Sequence, residues 1–210
     1  MTKTFTILHT NDIHSNLIGV GPASEYTPAT LNDDRTIGGI ERIATLIAER
    51  RRARDADGPV LVLDIGDASI GTPFGGAFQI TGTELQCLSM AGYDATTFGN
   101  HDFDFGPDAL ARAIAAARNA GRVPAILAAN TNVDAADAGL DSLKALRQAG
   151  AIRSHMVIER GGIRFGLFGM MGPDSITWTI NPGALTFPDS IATAREMVTR
   201  LRAEGADVVI

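Results

Sequence analysis

Apolar positions along this chain repeat with two different periods, and the switches between them outline a succession of strands and helices. Phe5–Thr10 reads as a strand that stops at Asn11 and Asp12. Ile40, Ile43, Ala44 and Ile47 recur at i, i+3, i+4 and i+7, which predicts an amphipathic helix over about 39–54. Gly58 and Pro59 end it. Val60–Ile65 then forms an almost unbroken apolar run, the pattern of a parallel strand buried on both faces. Thr81–Ala91 reads as a helix closed by Gly92, and Asp94–Phe98 as a short strand. Pro107 suits the first position of a helix whose buried stripe is Leu110, Ile114 and Ala117, with Gly121 behind it. Ala125–Ala129 is a further buried strand.

The second half changes character. His155–Glu159 and Ile163–Phe168 flank Arg160, Gly161 and Gly162, a hairpin signal. Asp189 is placed to cap a helix carrying Ile191, Ala194, Val198 and Leu201, with Gly205 after it. Ala206–Ile210 begins a strand. Residues 17–37 follow neither period and predict a loop, longer than the roughly 12–15 residues usual for a structureless connection. Alternating β and α units predict a largely parallel α/β architecture, with the hairpin supplying a second sheet or a mixed edge.

Composition narrows the chemistry. The 210 residues carry 18 basic and 24 acidic side chains, a net charge of −6, and 45% are hydrophobic. That balance suits a packed core and argues against binding a nucleic-acid polymer, which needs Lys and Arg to displace phosphate counterions. The run Arg50, Arg51, Arg52 and Arg54 is expected to be a solvated helix face. Cys87 is the single cysteine and reads as a core residue, so sulfur-rich zinc sites and internal disulfides are excluded. No apolar run approaches the roughly 18–20 residues of a membrane span, and the first residues lack the apolar stretch of a signal peptide. Asp outnumbers Glu 17 to 7, and Asp favours turns, caps and metal sites.

Three polar clusters each follow a predicted strand directly: Asn11 to His14, Asp64 to Asp67, and Gly99 to Asp104. Ligands of open α/β sheets bind beyond the carboxyl ends of the strands, so clusters far apart in sequence would converge there. Any one alone reads as a polar turn; the coincidence of all three does not. Asp and His offer oxygen and nitrogen donors suited to zinc, manganese or iron. Asp12 and His14, two apart on an extended segment, share a face and can chelate one ion. Asp67 on a tight turn is the candidate to bridge two ions, and Asn100 offers a neutral carbonyl oxygen to the second.

These residues also carry a resemblance. Ile7-Leu-His-Thr-Asn-Asp-Ile-His14, Leu63-Asp-Ile-Gly-Asp67 with Gly71-Thr-Pro73, and Phe98-Gly-Asn-His-Asp-Phe-Asp-Phe-Gly106 are similar to the calcineurin-like metallophosphoesterases. Within them, the match is to the 5′-nucleotidase, UDP-sugar hydrolase and cyclic-nucleotide phosphodiesterase family, and it spans nearly the whole chain. The resemblance implies a four-layer α-β-β-α sandwich and hydrolysis of a small phosphoester, most naturally a nucleotide, by a hydroxide bridging two divalent metals. Zinc or manganese lead, with iron, cobalt and magnesium also compatible. Asp12 and His14 match ligands of one ion, Asp67 the bridge, Asn100 a ligand of the other, and His101 with Asp104 a catalytic dyad at the leaving group. Asp64 and Asp102 match no ligand, and Asp102 stands where Glu is commoner. His9 is expected to be a hydrogen-bonded structural residue and His155 a strand or surface position.

Members of that family continue beyond the equivalent of Ala206–Ile210 into further histidine ligands and a separate C-terminal domain that grips base and sugar. The resemblance therefore implies that residues 1–210 are about the first two-thirds of a catalytic domain, without the specificity domain. Such a piece should bind metal poorly and turn over little; full two-metal occupancy with high turnover would overturn that. Relatives are often exported, which leaves localisation open, as is the oligomeric state. Two alternatives remain at this stage: a thiosulfonate hydrolase of the sulfur-oxidation branch, and a non-catalytic module that has kept the site residues.

Overall fold

The computed structural model describes residues 3–21 and 35–210. Most of the loop expected over 17–37 falls on residues 22–34, outside the described residues; its ends meet in an antiparallel bridge between Val20 and Ile37. Among the described residues, eight strands and seven α-helices follow in the order β1 (Thr6–Thr10), α1 (Ile40–Arg54), β2 (Val60–Asp64), α2 (Gly75–Thr81), α3 (Thr83–Ala91), β3 (Ala95–Thr96), α4 (Pro107–Asn119), β4 (Ala125–Leu127), α5 (Asp141–Gln148), β5 (Ile152–Arg153), β6 (His155–Arg160), β7 (Ile163–Phe168), α6 (Pro173–Trp178), α7 (Ser190–Ala203) and β8 (Val208–Val209).

Strands β1 to β5 form one all-parallel sheet in sequence order, as βαβ connections require. The hairpin β6–β7 pairs antiparallel, and β8 adds parallel to β7, making a second sheet. Gly161 and Gly162 sit at φ +57° and +69°, the left-handed pair that a tight two-residue turn demands.

Strand β2 shows why its sequence is apolar throughout. Val60 and Val62 pack outward on Ile47 of α1 and Leu88 of α3. Leu61 and Leu63 face the opposite way and meet Ile163, Phe165 and Leu167 of β7. Alternate residues of a strand point to opposite faces, so both faces have an apolar partner. Helix α7 covers the far side of the second sheet, its Leu201 lying against Gly166. The layers run helix, sheet, sheet, helix.

Four expectations need correction. The predicted helix over Thr81–Ala91 starts only at Thr83, as α3; Thr81 ends the separate helix α2, and between them Gly82 has a left-handed φ of +57° and passes so close to Ala113 of α4 that a Cβ would meet its carbonyl oxygen at 2.2 Å. In α7 the buried positions are Thr193, Met197 and Leu201 rather than the stripe through Ile191 and Val198, which are exposed. Cys87 is half-buried, not core. Among the four arginines, Arg51 and Arg54 are not merely solvated: Arg51 donates to the Gly92 carbonyl at 2.7 Å and pairs with Asp94, and Arg54 pairs with Asp57.

Candidate metal centre

The carboxyl ends of β1, β2 and β3 carry the three polar clusters into one place. The chain leaving β1 runs beside the chain leaving β2: Asp12 N–H donates to the Gly66 carbonyl at 3.1 Å, His14 N–H to Asp67 at 3.1 Å, and Ser15 N–H to Ala68 at 3.0 Å. This pairing is not a continuation of the strand. Asp12, His14 and Ser15 have φ of +54°, +48° and +55°, and Asp67 has +52°. Asp12 and His14 therefore do not share the face of an extended segment, as their spacing had suggested. Left-handed backbone brings them together instead, with Asp12 Oδ1 3.5 Å from His14 Nε2. Non-glycine residues held there are strained by ~1–3 kcal/mol each, and such strain collects at working sites.

His14, Asp67 and His101 each offer a ligand atom within 4.8 Å of the others. The His14 and His101 rings meet edge to face with centroids 5.1 Å apart. Asp67 Oδ1 accepts the His101 backbone N–H at 2.8 Å. His101 Nδ1 lies 2.9 Å from Asp104 Oδ2, and the second Asp104 oxygen is buried without a hydrogen bond among the described residues. The structure thus brings Asp12, His14, Asp67, His101 and Asp104 into one connected group. Asn100 stands next to it, half-buried, its side chain without a hydrogen bond among the described residues. The donors are nitrogen and carboxylate oxygen with no sulfur, which suits a borderline divalent ion such as zinc or manganese.

Burial dominates the electrostatics. It holds the Asp67 carboxyl above its ordinary range despite the His101 amide and the nearby imidazoles. The hydrogen bond to Asp104 raises His101 above 6.5, favouring the imidazolium. Asp64 is pushed up to about 6 by burial, although Thr96, Thr10 and Gly66 all donate to it. Asp102 is pushed up to about 7, again by burial first.

Beside the group lies a cavity of about 240 Å³, between Asp12 and Asp67 on one side and Met170, Met171, Gly172 and Ser175, where β7 leads into α6, on the other. That second wall was not foreseen from sequence; nothing in its composition marks it. Nor were Ser69 and Glu84, whose partners lie far along the chain: Ser69 donates to Asp102, and buried Glu84 accepts from Ser15 at 2.6 Å. His9 corrects another expectation, its ring being exposed and without a hydrogen bond among the described residues. His155, by contrast, bonds Glu204 at 3.0 Å on β6.

A four-layer α/β sandwich with a nitrogen–oxygen donor cluster at the carboxyl ends of its parallel strands defines the class of protein. The chain belongs to the calcineurin-like phosphoesterase family, whose model matches residues 5–180. It is 30% identical over 207 residues to a 5′-nucleotidase from Bos taurus, covering 98% of this chain and 33% of that protein. A 2′,3′-cyclic-nucleotide 2′-phosphodiesterase/3′-nucleotidase from Salmonella typhimurium is 28% identical over 223 residues, covering all of this chain and 31% of that one. Among solved structures, a 5′-nucleotidase precursor from Thermus thermophilus superposes with a TM-score of 0.74 at 29% identity, over 98% of this chain and 36% of its own. The chain spans about a third of the length of the curated relatives it matches.

Proposed function

We propose that this chain carries the catalytic centre of a dinuclear metal-dependent phosphoester hydrolase acting on nucleotides, in the manner of a 5′-nucleotidase. The observation that carries the reading is the convergence of His14, Asp67 and His101 from three separate strand ends to within 4.8 Å. Asp12 and His14 would hold one ion, Asp67 would be shared, and Asn100 would contribute to the second. When bound, the ions supply an activated water and neutralise charge on the phosphoryl oxygens.

The chain's own residues supply the rest. His101 Nδ1 is engaged by Asp104, which fixes the ring and leaves Nε2 to meet the leaving oxygen. A proton on Nε2 would pass to that oxygen as charge develops there, and Asp104 keeps the imidazole charged for the purpose. The left-handed turns at Asp12, His14 and Asp67 hold their side chains before substrate arrives, so little ordering is left to the reaction.

His101→Ala separates this reading from a purely ligating histidine. With Mn²⁺ or Zn²⁺ supplied, phosphate release from AMP should fall by ~10²–10⁴-fold, while Mn²⁺ binding and the melting temperature of the chain persist. If metal binding disappears together with activity, His101 is a ligand and the dyad role is wrong. If phosphate release survives unchanged in His101→Ala, the dyad role is wrong, and if it proceeds without added metal, the metal-dependent reading fails.

A further inference from the structure

Asp102 takes no part in the mechanism above and does not line the cavity beside the donors, yet it is 7% exposed in the middle of the third cluster. Its surroundings account for all of its carboxylate. Oδ2 accepts the Gly99 N–H at 2.8 Å and the Asp67 N–H at 3.2 Å, and Oδ1 accepts the Ser69 hydroxyl at 3.1 Å. The exchange is reciprocal, because Asp67 returns the favour across the same gap by accepting the His101 N–H. Two carboxylates, one from each loop, thus reach over to the backbone of the other loop.

The loops leave no room for a side chain between them. A Cβ on Gly66 would sit 2.6 Å from the Gly99 nitrogen, and one on Gly99 would sit 2.1 Å from Asp67 Oδ1. The two backbones are in contact, and only residues without a side chain fit between them. Such a contact fixes the separation of the loops but not their sliding; directional hydrogen bonds to amide N–H groups fix that too.

We propose that Asp102 is a positioning residue: with Asp67 it clasps the loops after β2 and β3, and so sets Asp67 and Asn100 in register for metal binding. This rests on the reading of Asp67 and Asn100 as ligands given above.

Mn²⁺ binding to the metal-free chain, by calorimetric titration, tests this alongside hydrogen exchange of segments 65–70 and 97–103. Asp102→Ala should weaken Mn²⁺ by roughly 10–100-fold, as loss of a group orienting a ligand does, and remove exchange protection from both segments. Asp102→Asn should stay within about 3-fold of wild type, because its carbonyl can accept the two N–H groups while its amide donates to Ser69. Asp102→Leu fills the space without an acceptor and should weaken Mn²⁺ as the alanine does, which covers the case in which the alanine variant does not fold. A folded Ala or Leu variant with wild-type Mn²⁺ affinity, or an Asn variant as weak as the alanine, overturns the proposal. A wild-type chain that takes no Mn²⁺ sinks the metal reading instead; the clasp then stands or falls on exchange, and equal protection in wild type and Asp102→Ala overturns it.

Discussion

At the scale of single residues, the carboxylates divide by burial. Asp12, largely exposed, is free to change partners; Asp64 and Asp102 are enclosed and spend their oxygens on backbone and hydroxyl donors. Asp64 offers a test in the metal-free chain. Folding moves its carboxyl from the ordinary 3.8 to about 6, so the folded state takes up a proton between those values. Its contribution to stability is complete below about pH 4 and is lost as pH rises through 6, by at most ~3 kcal/mol. Asp64→Asn mimics the protonated form, so its urea midpoint should fall less than that of wild type between pH 4.5 and pH 7 and be the higher of the two at pH 7. Equal slopes for the two proteins would show that Asp64 is ionised throughout. Asp67, Glu84 and Asp102 are raised in the same direction, so some slope should remain in the variant.

At the scale of elements, what could be read in advance depended on how local the cause was. Val60–Asp64 and the stripe Leu110, Ile114 and Ala117 were visible because burial on two faces and on one face leaves different periods in the sequence. Helix α5 and strand β5 were not foreseen, and α2 was hidden by Gly75 and Gly76 in its first turn, residues that oppose a helix everywhere but at its ends. The face of α7 was misjudged because its apolar residues lie on more than one side, and only the position of Gly166 on β7 decides which side packs. The candidate site residues Asp12, His14, Asp67, Asn100, His101 and Asp104 were legible as residues clustered after strands; Ser69 and the proposed clasp of Asp102 were not, since each depends on contacts about 30 residues away. Gly82 is the element-scale counterpart, a residue whose meaning lies in its neighbour. Gly82→Ala should cost ~2–4 kcal/mol, from its left-handed φ and from the clash with Ala113 of α4, measured by chemical denaturation. A change below ~0.5 kcal/mol would mean that α2 and α4 separate freely there.

At the scale of the whole molecule, the two sheets have different tasks. All six candidate site residues follow strands of the parallel sheet, while the second sheet contributes an apolar partner face and, through Met170 to Ser175, one wall of the cavity. The hairpin within that second sheet carries a consequence in time. Its strands meet across a two-residue turn, with Arg160 opposite Ile163, whereas Thr6 must find Val60 and Leu63 must find Ala95. Hairpins close in ~1–10 μs, and pairings that enclose long stretches of chain come later because the closure entropy precedes any reward. Pulse-labelled hydrogen exchange during refolding should protect residues 155–168 before residues 6–10, and simultaneous protection would contradict this order. The scaffold's last strand pairings to form would then be those whose ends bear the candidate site, so a newly made chain would be compact before it is chemically competent.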